Sequence, residues 1–220
     1  MLNIKISEEI KSCNKNLTLG CLKATVTVEE TTSNLLNEIN NYLNILSNEM
    51  NIEDIASHPQ IAAGRETYKK LGKSPSKYRL SSEALIRRIL QGKGLYKVNN
   101  IVDINNLISL KSKLPVGSYN LDNLTDPIIL TVGNDGEEYK AIGKAALNIA
   151  NLPVLTDSIG IFGSPTSDSE RAMITYEANS ILMIIYSFTG KEDIEKYLCE
   201  TKGLLEKYAE GHNFELSVIN

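Results

Sequence analysis

Short polar side chains gather at three points of this 220-residue sequence, at two of them beside glycines. The first is Val102-Asp103-Ile104-Asn105-Asn106. The second is the turn Pro115-Val116-Gly117-Ser118-Tyr119-Asn120. The third runs from Thr156-Asp157-Ser158-Ile159-Gly160 through Gly163-Ser164-Pro165 to Asp168-Ser169-Glu170-Arg171. Glycines next to small polar groups let backbone approach a small ligand closely. All three segments therefore suit the wall of a small-ligand pocket. Asp and Asn at a helix start serve equally well as caps of free N–H groups. No residue is assigned a catalytic role.

Other chemistries find no support. Two histidines, His58 and His212, occur without Cys-x-x-Cys or His-Glu-x-x-His spacing, so no metal site is expected. Gly136 and Gly143 are wrongly spaced for a phosphate loop, and Lys144 is followed by Ala145 rather than Ser or Thr. Gly160-Ile161-Phe162-Gly163 is not a dinucleotide fingerprint. No Gly-x-Ser-x-Gly elbow is present, and no cofactor is expected. Cys13, Cys21 and Cys199 are irregularly spaced and read as reduced thiols.

The charge is uneven. The net charge is −4, yet Arg65 to Lys97 holds ten bases against Glu66 and Glu83, a local +8, which leaves −12 for the remainder. Such asymmetry suits an anionic partner. Arg65, Lys69, Lys73, Lys77, Arg79, Arg87 and Arg88 are the candidate RNA-binding residues. Tyr68, Tyr78 and Tyr96 interleave with them and offer rings for base stacking. The competing reading is a solvated pair of helices whose cations pair with acids elsewhere.

The elements that must position these residues follow from periodicity. Leu2–Ile6 and Leu19–Val28 read as strands. Ser33 or Asn34 caps a helix carrying Leu35, Ile39, Leu43 and Leu46. A second helix spans Ile61–Leu71, and a third, capped at Ser81 or Ser82, stops at Gly92. Val102–Ser112 is a short helix. Ile128–Val132, Tyr139–Ile142, Val154-Leu155, Ile159–Phe162 and Ala172–Thr175 are candidate strands, and the apolar run Ile181–Phe188 is a buried central one. Thr189-Gly190-Lys191-Glu192 reads as a capping box opening a helix through Tyr208. Phe214–Ile219 closes as a strand. The sum is an α+β fold, a single domain over 1–220 with a mixed, largely antiparallel sheet and flanking helices. Its 42% hydrophobic and 23% charged residues are ordinary for a soluble chain. No apolar run approaches membrane-spanning length and no signal peptide is read at Met1–Ile6, so no membrane association and a cytoplasmic location are expected.

The same segments, in order, resemble the B3/B4 domain of the phenylalanyl-tRNA synthetase beta subunit, its editing and tRNA-binding module, in free-standing form. The matching residues are Arg65 with Tyr68; Pro75-Ser76; Ser82-Glu83-Ala84-Leu85 before Arg87 and Arg88; Val102, Asp103 and Asn106; Pro115, Tyr119 and Asn120; and Asp157, Gly160 and Gly163. Where bacterial members carry His two residues after the turn proline, this chain has Gly117. The resemblance implies binding of tRNA or aminoacyl-tRNA, a pocket for an aromatic amino acid with Asn105, Asn106, Gly117, Tyr119, Asp157 and Gly160 as its candidate lining, and hydrolysis of mischarged aminoacyl-tRNA in trans. Class II aminoacylation motifs are missing. The alternative is a small-molecule, amino-acid-like binding protein on the same fold with no RNA role.

Overall fold

The computed structural model describes residues 2–143 and 146–220; Met1, Lys144 and Ala145, and with them the rejected phosphate-loop reading at Lys144-Ala145, lie outside the described residues. The chain opens with β1 (Ile4–Ile6), α1 (Glu8–Cys13) and β2 (Thr18–Thr25). Four helices follow: α2 (Ser33–Glu49), α3 (Pro59–Lys70), α4 (Ser81–Leu90) and α5 (Asn100–Ser112). The strands β3 (Val116–Asn120), β4 (Ile128–Val132), β5 (Glu138–Lys140), β6 (Ala146–Asn148), β7 (Pro153–Thr156), β8 (Ile161–Gly163) and β9 (Ser180–Ser187) come next. Then α6 (Ile194–Tyr208) and β10 (His212–Ile219) end the α+β fold.

The strands make two four-stranded sheets rather than one. The first has the order β10-β2-β9-β3 and is antiparallel throughout. The second, β1-β4-β7-β8, is mixed, because β1 runs parallel to β4. β5 and β6 form a separate hairpin.

β9 lies between β2 and β3, and its residues from Ile181 to Ser187 are all buried, as its continuous apolar run requires. Alternation along it sorts the core. Ile181, Met183 and Ile185 face a helical layer with Ile101, Ile104 and Ile108 of α5 and Ile194, Leu198 and Leu205 of α6. Leu182, Ile184 and Tyr186 face the second sheet, among Leu130, Val154, Leu155 and Phe162, with Ile61 and Tyr68 of α3 and Ile86 of α4.

Local chemistry explains most boundaries. Thr32, not Ser33, caps α2, its hydroxyl accepting from the Leu35 N–H. Pro59 occupies the first turn of α3, where no N–H is needed. Asn99 caps α5 by accepting from the Val102 N–H. Two expectations are corrected. The Thr189–Glu192 box does not open the last helix, which starts at Ile194 behind a left-handed Asp193. Ala172–Thr175 is not a strand; a single 3-10 turn covers Glu170–Ala172, capped by Ser169. The short helix α1, entered through a Ser7 cap, has no counterpart in the sequence reading.

Candidate functional site

The polar interior lies where the two sheets face each other. On β3, Gly117 and Tyr119 share one face, and the Tyr119 ring folds back so that its hydroxyl lies over Gly117. A Cβ at 117 would stand 2.2 Å from that oxygen, and a Cβ at Gly163 on β8 would stand 2.4 Å from it. Both glycines are therefore the walls that admit the phenol. This also accounts for the departure at 117: any side chain there, histidine included, would overlap Tyr119.

The Tyr119 hydroxyl donates to Asp168 Oδ1 (2.7 Å) and lies 3.0 Å from the Tyr186 hydroxyl. With Asp168 ionised, the one Tyr119 proton goes to the carboxylate, so Tyr186 donates to Tyr119. Asp168 Oδ1 also accepts from the Ser164 N–H (3.2 Å). Two more phenols clamp the same loop. Tyr139 reaches Ser164 Oγ (3.1 Å) and the Ser167 carbonyl, and Tyr68 from α3 meets Thr166 Oγ1 at 2.9 Å. The Phe162 ring meets Tyr119 edge-on at 5.0 Å.

Burial pushes the Asp168 carboxyl up to about 7; its bonds from Tyr119 and Ser164 pull the other way without cancelling that. Burial, then the Asp168 charge, drives the Tyr119 and Tyr186 phenols far above their ordinary range. Asp168 is thus a carboxyl able to hold or release a proton near neutral pH, the property asked of a general acid or base.

A second assembly borders the first. Asp157, at the β7–β8 turn, accepts from the N–H groups of Thr125 (3.0 Å), Ile159 (2.9 Å) and Gly160 (3.1 Å) and from Arg171 Nη2 (2.9 Å). Burial raises its pKa, but these four donors outweigh it and hold the carboxyl below its ordinary value. Arg171 in turn lies over the Phe162 ring at 5.3 Å, which links this turn to Tyr119.

The six pocket candidates are not all brought together. Gly117 and Tyr119 sit between the sheets. Asp157 and Gly160 form the adjoining turn. Asn105 and Asn106 lie on α5, in the helical layer behind the sheet, so β3 separates them from Tyr119. Asn105 is 8% exposed, and its Oδ1 has no partner.

The basic segment divides as sharply. Glu83, fully buried, accepts from Arg65 Nη1 at 3.0 Å on both oxygens and from Arg87 Nε at 3.1 Å, with Arg79 Nε at 3.9 Å. Arg65 thereby ties α3 to α4, while the Arg87–Glu83 pair lies within α4. Lys73 is 8% exposed; its ammonium donates to Asn148 O, Asn148 Oδ1 and Ala150 O and lies over Tyr78. Burial, and then Lys77, lowers its pKa. Lys69, Lys77 and Arg79 are exposed, and Arg88 is partly so, packed on Tyr96. Of the interleaved tyrosines, Tyr68 is fully buried and cannot stack on a base, whereas Tyr96 is 63% exposed.

Tyr139 and Tyr186 were not singled out in the sequence. Tyr186 hides in an apolar run, and only the alternation of β9 reveals that its side chain faces Asp168. Among the described residues no group of His, Cys, Asp and Glu could hold a metal ion, and no helix is long and apolar enough to cross a membrane.

Fold and interior define an α+β module whose two sheets enclose a tyrosine–aspartate network. The family model of the B3/4 domain matches residues 63–201, and the chain belongs to that family. Curated proteins give no match. Among solved structures, an N-terminal fragment of the phenylalanyl-tRNA synthetase beta-subunit from Pyrococcus horikoshii is similar, at 10% identity and a TM-score of 0.48. The similarity covers 99% of this chain and 50% of that one, so the chain spans half the length of the fragment.

Proposed function

We propose that this chain is a tRNA-directed B3/4 module, folded as one unit over residues 1–220, that binds the acceptor end of aminoacyl-tRNA and hydrolyses mischarged ester in trans. The observation that carries this reading is the family match across the basic α3–α4 segment. There Lys69, Lys77 and Arg79 remain exposed after Arg65 and Arg87 have been drawn onto Glu83. Exposed cations neutralise phosphates and release counterions, so affinity should fall steeply with salt.

The hydrolytic part rests on Asp168. Its carboxyl is poised near pH 7 and held by donors from Tyr119 and the Ser164 N–H, a setting that suits proton transfer. Asp157 and Gly160 act on this reading as the turn that holds Arg171 and Phe162 against Tyr119. Asn105 and Asn106, on the far side of the sheet, act through the fold.

The test is loss of ester from tyrosyl- and phenylalanyl-tRNA, each made on phenylalanine tRNA, with the purified chain. Faster loss of the tyrosyl ester, removed by Asp168→Asn in a folded variant, supports the whole reading. tRNA binding without ester loss leaves the binding module alone. Neither binding nor loss refutes the reading in favour of an amino-acid-like ligand without RNA.

A further inference from the structure

A cavity of about 190 Å³ opens between α2 and the loop that joins α4 to α5. Leu36, Ile39, Leu43 and Leu95 make its apolar walls, and Asn40 and Asp103 supply polar groups. An engineered apolar cavity of about 150 Å³ holds a benzene ring. The space here therefore suits one heteroaromatic ring. Asp103 Oδ2 accepts from the Thr31 hydroxyl (2.5 Å) and Oδ1 from the Val98 N–H (3.3 Å). Each carboxylate oxygen has a second lone pair, which leaves acceptor capacity for an exocyclic amine.

The rim is aromatic and basic. Tyr96, also part of the cavity wall, is exposed, and Arg88 packs over its ring at 3.8 Å. The same guanidinium donates to the Gly94 and Lys93 carbonyls and to the Tyr96 hydroxyl, so the loop is held in a fixed shape. Gly92 and Gly94 make that shape accessible with left-handed φ values of +73° and +61°. Tyr176, 56% exposed, braces the far end by donating to the Val98 carbonyl. Lys97 lines the cavity beside Tyr96, and Lys93, three residues before Tyr96 in the same loop, is exposed.

We infer that this cavity takes one unpaired nucleobase of a single-stranded RNA segment, with Tyr96 as stacking partner and Lys93 and Lys97 meeting the flanking phosphates. The inference rests on the tRNA-directed reading and names the chemistry recognised: an unstacked base, not a duplex. Charge complementarity selects the occupant. A free apolar ligand has no use for cations at the rim, whereas a base in a strand brings a phosphate on each side. Aromatic rings beside cations are the general means of holding single strands.

The experiment is fluorescence anisotropy of a labelled, unstructured single-stranded RNA with the full chain, beside a duplex of the same length and whole tRNA. Tyr96→Ala should weaken single-strand binding about 5- to 150-fold, the worth of one stacked base, and Tyr96→Phe should restore it. Leu43→Trp, which fills the cavity from its apolar wall, should weaken binding as well. Removing Lys97 should flatten the salt dependence by about 0.7 in log–log slope. Thermal unfolding identifies any variant that fails to fold. Equal binding by wild type and folded Tyr96→Ala overturns the inference. So does tighter binding of the duplex than of the single strand, and in either case continued tRNA binding leaves the tRNA-directed reading standing. Protection of Tyr96 by free phenylalanine or tyrosine, with no response to RNA, overturns both.

Discussion

Replacing Asp168 by asparagine separates the charge of the buried network from its shape. Asparagine keeps an oxygen to accept from Tyr119 and Ser164, but it cannot ionise. In the folded chain burial raises the Asp168 carboxyl from 3.8 to about 7. Between these values the native state binds more protons than the unfolded one. The slope of unfolding free energy against pH is therefore negative for this group: its stabilising, protonated form is fully present below pH 3.8 and is lost as pH rises through about 7. At 1.36 kcal/mol per pH unit the full span amounts to about 4 kcal/mol, and about 2 to 4 once local relaxation is allowed for. Urea unfolding of both proteins from pH 4 to pH 8.5 reads the effect directly. Other carboxylates contribute to both curves and cancel in the difference. The two should be close at pH 4, and Asp168→Asn should be the more stable by about 2 to 4 kcal/mol above pH 7.5. Parallel curves at every pH would show that Asp168 is not held neutral by burial and would remove the argument for its proton-transfer role.

Asp157→Asn should behave with the opposite sign. Its folded carboxyl lies below the ordinary value, so the wild-type advantage is present above the unfolded pKa and vanishes as pH falls through the folded one, measured by the same denaturation series. Gly117→Ala should cost about 1 to 3 kcal/mol, since the new methyl meets a phenol oxygen pinned by hydrogen bonds. Adding Tyr119→Ala should make the pair less damaging than the sum of the two, a coupling read from a double-mutant cycle. Glu83→Gln should cost about 2 to 4 kcal/mol by thermal or urea unfolding, because Arg65 and Arg87 lose a buried counter-charge while keeping some solvent contact. Lys69→Glu with Lys77→Glu should leave stability within about 0.5 kcal/mol of wild type and weaken tRNA binding.

Much of the secondary structure was legible because its signals are local. Ile128–Val132 is a strand with the expected bounds, and Ile181–Phe188 differs from the observed strand by one residue at each end. The errors arise where local chemistry has two outlets. Thr189-Gly190-Lys191-Glu192 has the letters of a capping box, yet the chain turns once more through a left-handed Asp193 before Ile194 can enter the core. Ala172–Thr175 has strand-forming residues, but Ser169 caps a tight turn just before it.

The candidate site was legible as a set of segments, not as a site. Types and spacing mark out the segments that hold Asn105, Asn106, Gly117, Tyr119, Asp157 and Gly160, and they give the charge excess of Arg65 to Lys97, because those properties belong to the chain in any conformation. Whether a cation is free or neutralised does not. Arg65 and Glu83 are eighteen residues apart in sequence, and only the packing of α3 on α4 joins them and leaves Lys69 and Lys77 outside. Likewise the side of a sheet on which a residue falls is set by register. That is why Tyr186, unremarked in its apolar run, meets Tyr119 and Asp168 on one face of the sheet, while Asn105, on α5, belongs to the helical layer packed on the other. The sequence by itself determined which groups are available; tertiary structure decided which of them are buried together, because desolvation and pairing are properties of a packed interior and not of a chain.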